Sequence, residues 1–354
     1  MRDGASARPL ILHVVESLGA GVNTAVEDYM RSTPGFRHRL LGSPRAELHS
    51  AASLEALTEG IDTMGSGTFR RIGDVRRAAR EHAPDIVHAH SSFAGAYARL
   101  AGLAPRRVVY TPHCFPFERR DVSGPVRAAF WLMEAILSVR GRTIVAVSDR
   151  EAGLARRLPG RNLVVVVPNV ARLDPDPPEP PVRADLVVAL GRLSAQKGPG
   201  FFAEAARASR ERGDGLTWRW VGGGEANDEA EVRAAGAEVT GWVERSEAIR
   251  QLREAAVYVH TAAWEGFPIT LLEAATLGKP LVARRIPALE ESGLALVDDP
   301  VSMAGAVARA VSAEGKDEAL RGARGLLERH RPDEQARLLT ETYERVIADQ
   351  SRSR

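Results

Sequence analysis

A single cysteine, Cys114, stands in a chain of 354 residues, so no internal disulfide framework can form and the chain suits a reducing, cytoplasmic compartment. Lysine is nearly as scarce, with Lys197, Lys279 and Lys316 the only three among 48 basic residues. A lysine in a strand-to-helix loop therefore stands out against an arginine background. No apolar run reaches the ~20 residues of a membrane span, because the longest, Ala128 to Val139, is short and carries Glu134. Met1 to Pro9 is polar and shows no leader pattern. Neither half holds an acidic cluster fit for a metal, and the literal Asp174-Pro-Asp176 sits between prolines, where solvated linker acid is the simpler reading. No metal, no cofactor and no nucleic-acid partner is expected.

What is present is the composition of a soluble globular protein, 44% apolar and 27% charged, at a length that suits two domains. The net charge of +2 is unevenly distributed. Residues 1–172 hold 24 Arg against 16 acids, +8, which leaves 24 basic residues against 30 acids, −6, in residues 173–354. The first half is thus the one expected to meet an anionic partner.

Short apolar strands alternate with amphipathic segments throughout, which argues an α/β fold with doubly wound parallel sheets. Strands are expected at Pro9 to Val15, Arg39 to Leu41, Asp85 to Ala89, Arg107 to Tyr110, Thr143 to Val147 and Leu163 to Val167. After the proline-rich stretch they recur at Asp185 to Leu190, Leu216 to Val221, Glu238 to Thr240, Ala255 to Thr261 and Pro280 to Ala283. Residues 173–183 form a semi-rigid linker. The expected division is 1–172, the linker, 184–331, and a C-terminal helical segment over 332–354.

Trp-Glu-Gly-Phe-Pro-Ile-Thr-Leu-Leu-Glu, from Trp264 to Glu273, follows a strand. Pro268 suits a first helical turn, so Glu265 is placed on the loop and Glu273 in the helix, which Gly278 ends. Ile269, Leu272, Ala275 and Thr276 form its apolar stripe. The bland alternative makes Glu265 a first-turn acid and Glu273 a solvated one. Gly191-Arg-Leu-Ser-Ala-Gln-Lys-Gly198 follows another strand and puts Arg192 and Lys197 on a strand-to-helix loop, where two cations and a helix N-terminus suit a diphosphate; a surface cation pair is the alternative. Gly19 and Gly21 lie between the first strand and a helix from Val22 to Met30. Thr24 replaces the third glycine of a dinucleotide fingerprint and no strand-end acid follows, which counts against an NAD site. His88 and His90 flank Ala89 and are assigned to opposite faces, so no shared metal is expected; one is read as a satisfied histidine beside the cleft.

The two C-terminal motifs, with a glycine-rich loop after the first strand, resemble the retaining nucleotide-sugar glycosyltransferases of family 4. The resemblance implies the GT-B architecture: two Rossmann-like doubly wound parallel-sheet domains facing a central cleft, with the last helix crossing back to the N-terminal domain. It implies a nucleotide-sugar donor, UDP-linked in preference to GDP-linked, whose diphosphate meets Arg192, Lys197 and the Gly19 and Gly21 loop. Glu273 would take the ribose hydroxyls, and Glu265, with the Gly266 and Phe267 amides, the sugar. Gly222, Gly223, Trp242 and Val243 would lie at the nucleotide, and His113 would reach the donor sugar. Ser148 and Asn169 also match positions near the cleft, with a helix N-cap and a turn residue as equally good readings. Transfer would retain anomeric configuration. Arg106, Arg107, Arg119, Arg120 and Arg127 beside the apolar run 128–139 suit a lipid-linked acceptor at the inner membrane face; a soluble acceptor stays open. Two other readings are a nucleotide-sugar epimerase of the same architecture and a non-catalytic nucleotide-sugar-binding subunit.

Overall fold

The structure, a computed structural model, describes residues 8–18, 20–44, 51–139, 143–173 and 180–352. Contacts divide the chain into two compact units, Met1–Glu118 with Ser123–Asn169 and Pro332–Arg354, and Arg119–Val122 with Val170–Arg331. Asp174 and Asp176 lie outside the described residues.

The first unit is built on β1 (Leu10–Leu18), β2 (Arg37–Pro44), β3 (Ile61–Thr63), β4 (Ile86–His90), β5 (Val108–Thr111), β6 (Thr143–Ala146) and β7 (Leu163–Val166). They form one sheet in the order 3-2-1-4-5-6-7, every pairing parallel. Its helices are α1 (Ala20–Ser32), α2 (Ala51–Leu57), α3 (Thr68–Glu81), α4 (Ser92–Leu100), α5 (Gly124–Ser138) and α6 (Asp149–Arg156). A parallel strand covered on both faces is apolar on both faces. On one side Leu12, Val14, Val87 and Ala89 pack with Val75 of α3 and Tyr97 of α4. On the other, Ile11, Val109 and Val145 pack with Tyr29 of α1. The strand β1 runs three residues past the expected end at Val15, and α1 begins at Ala20. Gly21 therefore lies in the first turn of the helix rather than on a loop; Gly19 is outside the described residues.

The second unit contains β8 (Arg183–Leu190), β9 (Thr217–Val221), β10 (Glu238–Val239), β11 (Ala255–His260), β12 (Leu281–Arg284) and β13 (Leu296–Val297), in the order 10-9-8-11-12-13 and again all parallel. Its helices are α7 (Pro199–Glu211), α8 (Ala226–Ala234), α9 (Arg245–Glu254), α10 (Ile269–Thr276), α11 (Pro300–Val311) and α12 (Ala313–Arg329). Phe202 of α7 sits edge-on against Trp218 and Trp220, with ring centroids 5.3 and 5.2 Å away, and anchors the core beneath β8 and β9. Burying three such rings contributes several kcal/mol, at roughly 1.5–3 kcal/mol each.

The final helix, α13 (Pro332–Ser351), belongs to the first unit. Leu339, Tyr343 and Val346 enter the core beneath β1, β4 and β5. Gln335 accepts from Ser32 Oγ at 2.7 Å and donates to the Pro168 carbonyl at 2.9 Å. Gln350 donates to the Asp85 carbonyl at 3.0 Å.

Both sheets have their chain reversal beside the first strand, between β1 and β4 and between β8 and β11. Ligands in such sheets meet the loops at the carboxyl ends of the strands at that point.

Candidate functional site

In the second unit, the loop leaving β8 is pinned from several sides. Gly191 N donates to Val221 O at 3.0 Å and Leu193 N to Gly223 O at 2.9 Å. Trp220 Nε1 donates to Gly191 O at 2.7 Å. A Cβ on Gly222, whose φ is 135°, would come 2.2 Å from Gly191 O, and one on Gly223 would come 2.8 Å from the Trp242 ring. These two glycines serve the approach of the Gly191 loop and Trp242 to the strand end, so their lack of a side chain has a structural cause within the protein.

The structure brings Lys197 and Glu265 together across the reversal, Nζ to Oε1 at 2.5 Å. Gln196, which sequence reasoning passed over inside its own motif, donates to the other Glu265 oxygen at 3.3 Å and to the Trp264 carbonyl at 3.2 Å. The Lys197 carbonyl accepts from Thr261 Oγ1 at 2.8 Å. Arg192 is exposed on the same loop, five residues before Lys197.

The helix after Glu265 starts at Ile269, with Pro268 as its N-cap rather than in its first turn. Gly278, φ +64°, ends it: Lys279 N bonds Ala274 O at 3.0 Å and Gly278 N bonds Ala275 O at 2.9 Å, the paired pattern of a Schellman stop. Leu271 and Ala274 are buried along with the expected stripe, whereas Thr276 is exposed. Glu273 is not solvated; at 1% exposure it is among the most deeply buried acids. Its Oε1 accepts from Arg245 at 2.6 Å, and its Oε2 has no partner among the described residues. Arg245, three residues after Trp242, was not singled out by any motif; its only signal is its place after the Gly-Trp-Val turn. Phe267 is buried, its ring 4.1 Å from that of His330, and Gly266 is buried beside it. Trp242 is 47% exposed and Val243 partly so. His260, at the end of β11, is buried with Nε2 unpartnered; burial, reinforced by the Lys197 cation, holds its pKa well below the usual range. Asp298 pairs with Arg285 at 2.8 Å and Asp299 caps α11, so both have structural work.

In the first unit the assignment of His88 and His90 to opposite faces is overturned. Their rings lie 4.1 Å apart, because residues two apart on a strand share a face. His13 is the register partner of His88 on β1, and His13, His88 and His90 have nitrogens within 4.8 Å of one another, all buried. His13 Nδ1 and His90 Nε2 are 3.0 Å apart, His13 Nε2 and His38 Nδ1 3.1 Å, and His90 Nδ1 and His113 Nε2 3.1 Å. His88 is held separately, by Tyr343 Oη at 2.7 Å and Thr111 Oγ1 at 2.8 Å. His113 follows β5 and is half-buried. Its pKa is pushed down to about 4 by burial, and burial is also the leading cause that lowers the other four. Nearby, Glu151 is pushed up to about 7 by burial, against the Val147 and Cys114 amides that it accepts from at 2.8 and 2.6 Å. Ser148 caps α6 through Glu151 N at 3.2 Å, and Asn169 is buried.

Comparison with known proteins gives the family and the fold. Residues 11–170 match the glycosyl transferase 4-like domain and residues 184–313 match glycosyl transferases group 1. The chain is similar to an uncharacterized 41.2 kDa protein in the cps region of Klebsiella pneumoniae, 24% identical over 311 residues, 79% of this chain and 82% of that protein. It is also similar to the UDP-Gal:alpha-D-GlcNAc-diphosphoundecaprenol alpha-1,3-galactosyltransferase of Escherichia coli, 28% identical over 229 residues, 57% of this chain and 58% of that one. Among solved structures, Anabaena HepE in complex with UDP and glucose shares the fold with a TM-score of 0.75 at 18% identity, over 95% of this chain and 99% of that one. The chain belongs to the GT-B glycosyltransferases of the family 4 type.

Proposed function

We propose that this glycosyltransferase moves a hexosyl group from a UDP-sugar to a hydroxyl of a lipid-linked sugar, with retention at the anomeric carbon and without a metal ion, in polysaccharide or glycolipid assembly. The observation that carries the reading is the pair of ion pairs in the second unit, Lys197 with Glu265 and Arg245 with Glu273. They stand on the segments that follow β8, β10 and β11, where a nucleotide would lie. Glu273 has one oxygen fixed by Arg245 and the other bare, which suits a ribose hydroxyl pair, and the exposed Trp242 ring offers a face to the base.

In the transfer, the bond from the anomeric carbon to the β-phosphate oxygen breaks and one from that carbon to the acceptor oxygen forms; the acceptor proton passes to the leaving phosphate on the same face. The developing charge is on the diphosphate, so positive charge placed there is what accelerates the step. Arg192 and Lys197 supply it, each worth about 4 kcal/mol of attraction at ~4 Å and an effective dielectric near 20, before desolvation is deducted. Held by Lys197 and Gln196, Glu265 is pre-oriented for sugar hydroxyls or a cationic sugar.

The lipid-linked acceptor is supported by the name of the Escherichia coli relative, which carries a diphosphoundecaprenol-linked sugar. It is supported too by α5, whose Val126, Trp131, Leu132 and Ile136, with Val139 at its C-cap, are exposed next to Arg127. Apolar residues beside cations suit an anionic bilayer surface on the cytoplasmic side. No helix among the described residues is long and apolar enough to cross a membrane, so this contact would be peripheral. The test is a donor panel in EDTA, with UDP-glucose, UDP-galactose, UDP-N-acetylglucosamine and GDP-mannose, read by thermal shift and by UDP release with and without a polyprenyl-diphosphate sugar. The expected result is stabilisation by UDP-sugars and release that needs the acceptor. A strict requirement for manganese or magnesium, or sugar turnover indifferent to acceptor, contradicts the reading.

A further inference from the structure

The histidine contacts in the first unit have a direction. His38 Nε2 lies 3.1 Å from the Thr33 carbonyl oxygen, which can only accept. It also lies 3.4 Å from the Thr33 hydroxyl, whose proton is committed to the Tyr29 carbonyl at 2.7 Å. His38 Nε2 therefore carries a proton, and in the neutral ring Nδ1 is then a bare acceptor. That acceptor faces His13 Nε2 at 3.1 Å, so His13 also has its proton on Nε2 and a bare Nδ1. The same reasoning passes to His90 across 3.0 Å and to His113 across 3.1 Å. Four rings from β2, β1, β4 and the loop after β5 are thus aligned head to tail, and the carbonyl at one end fixes the tautomer at the other.

We propose that the array Thr33, His38, His13, His90 and His113 is a tautomer-setting relay that presents His113 with a bare Nδ1, as hydrogen-bond acceptor for a substrate hydroxyl. His13, His38 and His90 are positioning residues; His113 alone in the series is partly exposed. The backbone supports this placement. His113 and Cys114 both have positive φ, 52° and 93°, a costly conformation for non-glycine residues that persists where surrounding contacts enforce it. Burial keeps the rings neutral, which the alternation of donor and acceptor requires. The inner end is closed by a carbonyl, so the array orients a ring and does not conduct protons through the unit. That the hydroxyl is a sugar's rests on the glycosyl-transfer reading; the tautomer assignment does not.

A divalent ion shared by His13, His88 and His90 is the competing use of the same nitrogens. Each of those rings already has both nitrogens engaged by a ring or hydroxyl partner, His88 by Tyr343 and Thr111. No carboxylate or thiolate belongs to the cluster to offset a buried double charge.

The test is long-range proton–nitrogen NMR of the full chain labelled with ¹⁵N-histidine, titrated with zinc. The relay requires His38, His13, His90 and His113 all to carry the proton on Nε2, with no stoichiometric zinc uptake. A His113 proton on Nδ1, or one equivalent of zinc with metal-shifted His13, His88 and His90 signals, overturns it. A second readout uses two variants. His38→Gln keeps a donor toward Thr33 and an acceptor toward His13, whereas His38→Leu keeps neither. Transfer should fall about tenfold in kcat for His38→Leu and within about twofold for His38→Gln, with UDP affinity unchanged in both. Equal behaviour of the two variants contradicts the relay; should His38→Leu fail to fold, the NMR of the native chain decides.

Discussion

Two acids and two cations in the second unit do different work although each pair looks like an ordinary ion pair. Lys197 and Glu265 are both accessible enough to exchange partners when a ligand arrives, with side-chain exposures of 24% and 11%. Glu273 is buried, and only its Oε2 lacks a partner among the described residues. Lys197→Ala is therefore expected to lower kcat at least tenfold, about 1.4 kcal/mol of transition-state stabilisation, with the circular dichroism spectrum unchanged; near-native turnover would remove Lys197 from the site. Glu273→Gln keeps the shape but loses the charge that Arg245 pairs with, and should weaken UDP binding by about tenfold while thymidine diphosphate, which lacks the 2′-hydroxyl, loses less, as calorimetry would show. The motifs made the places of Lys197, Glu265 and Glu273 legible from sequence, the first two on strand-to-helix loops and the third inside the following helix. Gln196, Arg245 and His260 were not, because their contacts depend on which segments meet in space. His13 and His38 were invisible for the same reason, and His88 and His90 were misread by one step of strand periodicity.

At the scale of the element, α5 reverses the usual pattern of an amphipathic helix. Glu134 is its buried side, paired with Arg99 at 2.9 Å and accepting from Tyr110 Oη at 2.9 Å, with the guanidinium 4.3 Å from the Tyr110 ring centroid. Val126, Trp131, Leu132 and Ile136 are exposed, whereas Leu137 is buried. The glutamate in the apolar run therefore marks an anchor to α4 and β5, which the sequence pattern could not distinguish from an interruption. Glu134→Ala would strand a buried arginine and should cost about 3–5 kcal/mol in urea unfolding; a loss below 1 kcal/mol would contradict the burial of the pair. Trp131→Ser/Ile136→Ser should instead leave stability unchanged and abolish co-sedimentation with vesicles of phosphatidylglycerol and cardiolipin. Vesicle binding that survives both substitutions would remove α5 as the contact. Arg119, which the sequence grouped with this basic surface, is paired with Asp121 at 2.7 Å and adds little free charge.

Across the whole molecule, alternation of apolar runs and turn residues made both parallel sheets legible. The short edge strands β3 and β13 were missed, having three and two residues and no apolar periodicity to announce them. The first unit also carries a pH dependence that only the fold reveals. Four buried histidines, His13, His38, His88 and His90, and the half-buried His113 all have folded pKa values below the unfolded one. Their contribution to stability is complete above about pH 6.5 and is lost as pH falls toward the folded values, about 4 for His113. Glu151, raised to about 7, works in the opposite sense, since its native proton is missing from the unfolded chain until the pH drops below its ordinary range. Five depressed histidines outweigh the one raised carboxyl, so unfolding takes up protons as the pH falls below the ordinary histidine range. The urea midpoint should fall steeply between pH 7 and 5; a flat midpoint over that interval would show that the histidines are not buried neutral.

Transfer of a sugar from a UDP donor with retention and without metal is read out in a single NMR experiment. A UDP-hexose and a polyprenyl-diphosphate sugar are incubated with the enzyme in EDTA, and the coupling constant of the new anomeric proton is read as it forms. Retaining transfer predicts an acceptor-dependent product whose first-formed linkage keeps the α configuration of the donor, and no such signal from Lys197→Ala on the same timescale. A β linkage, or no product until manganese or magnesium is restored, would contradict it.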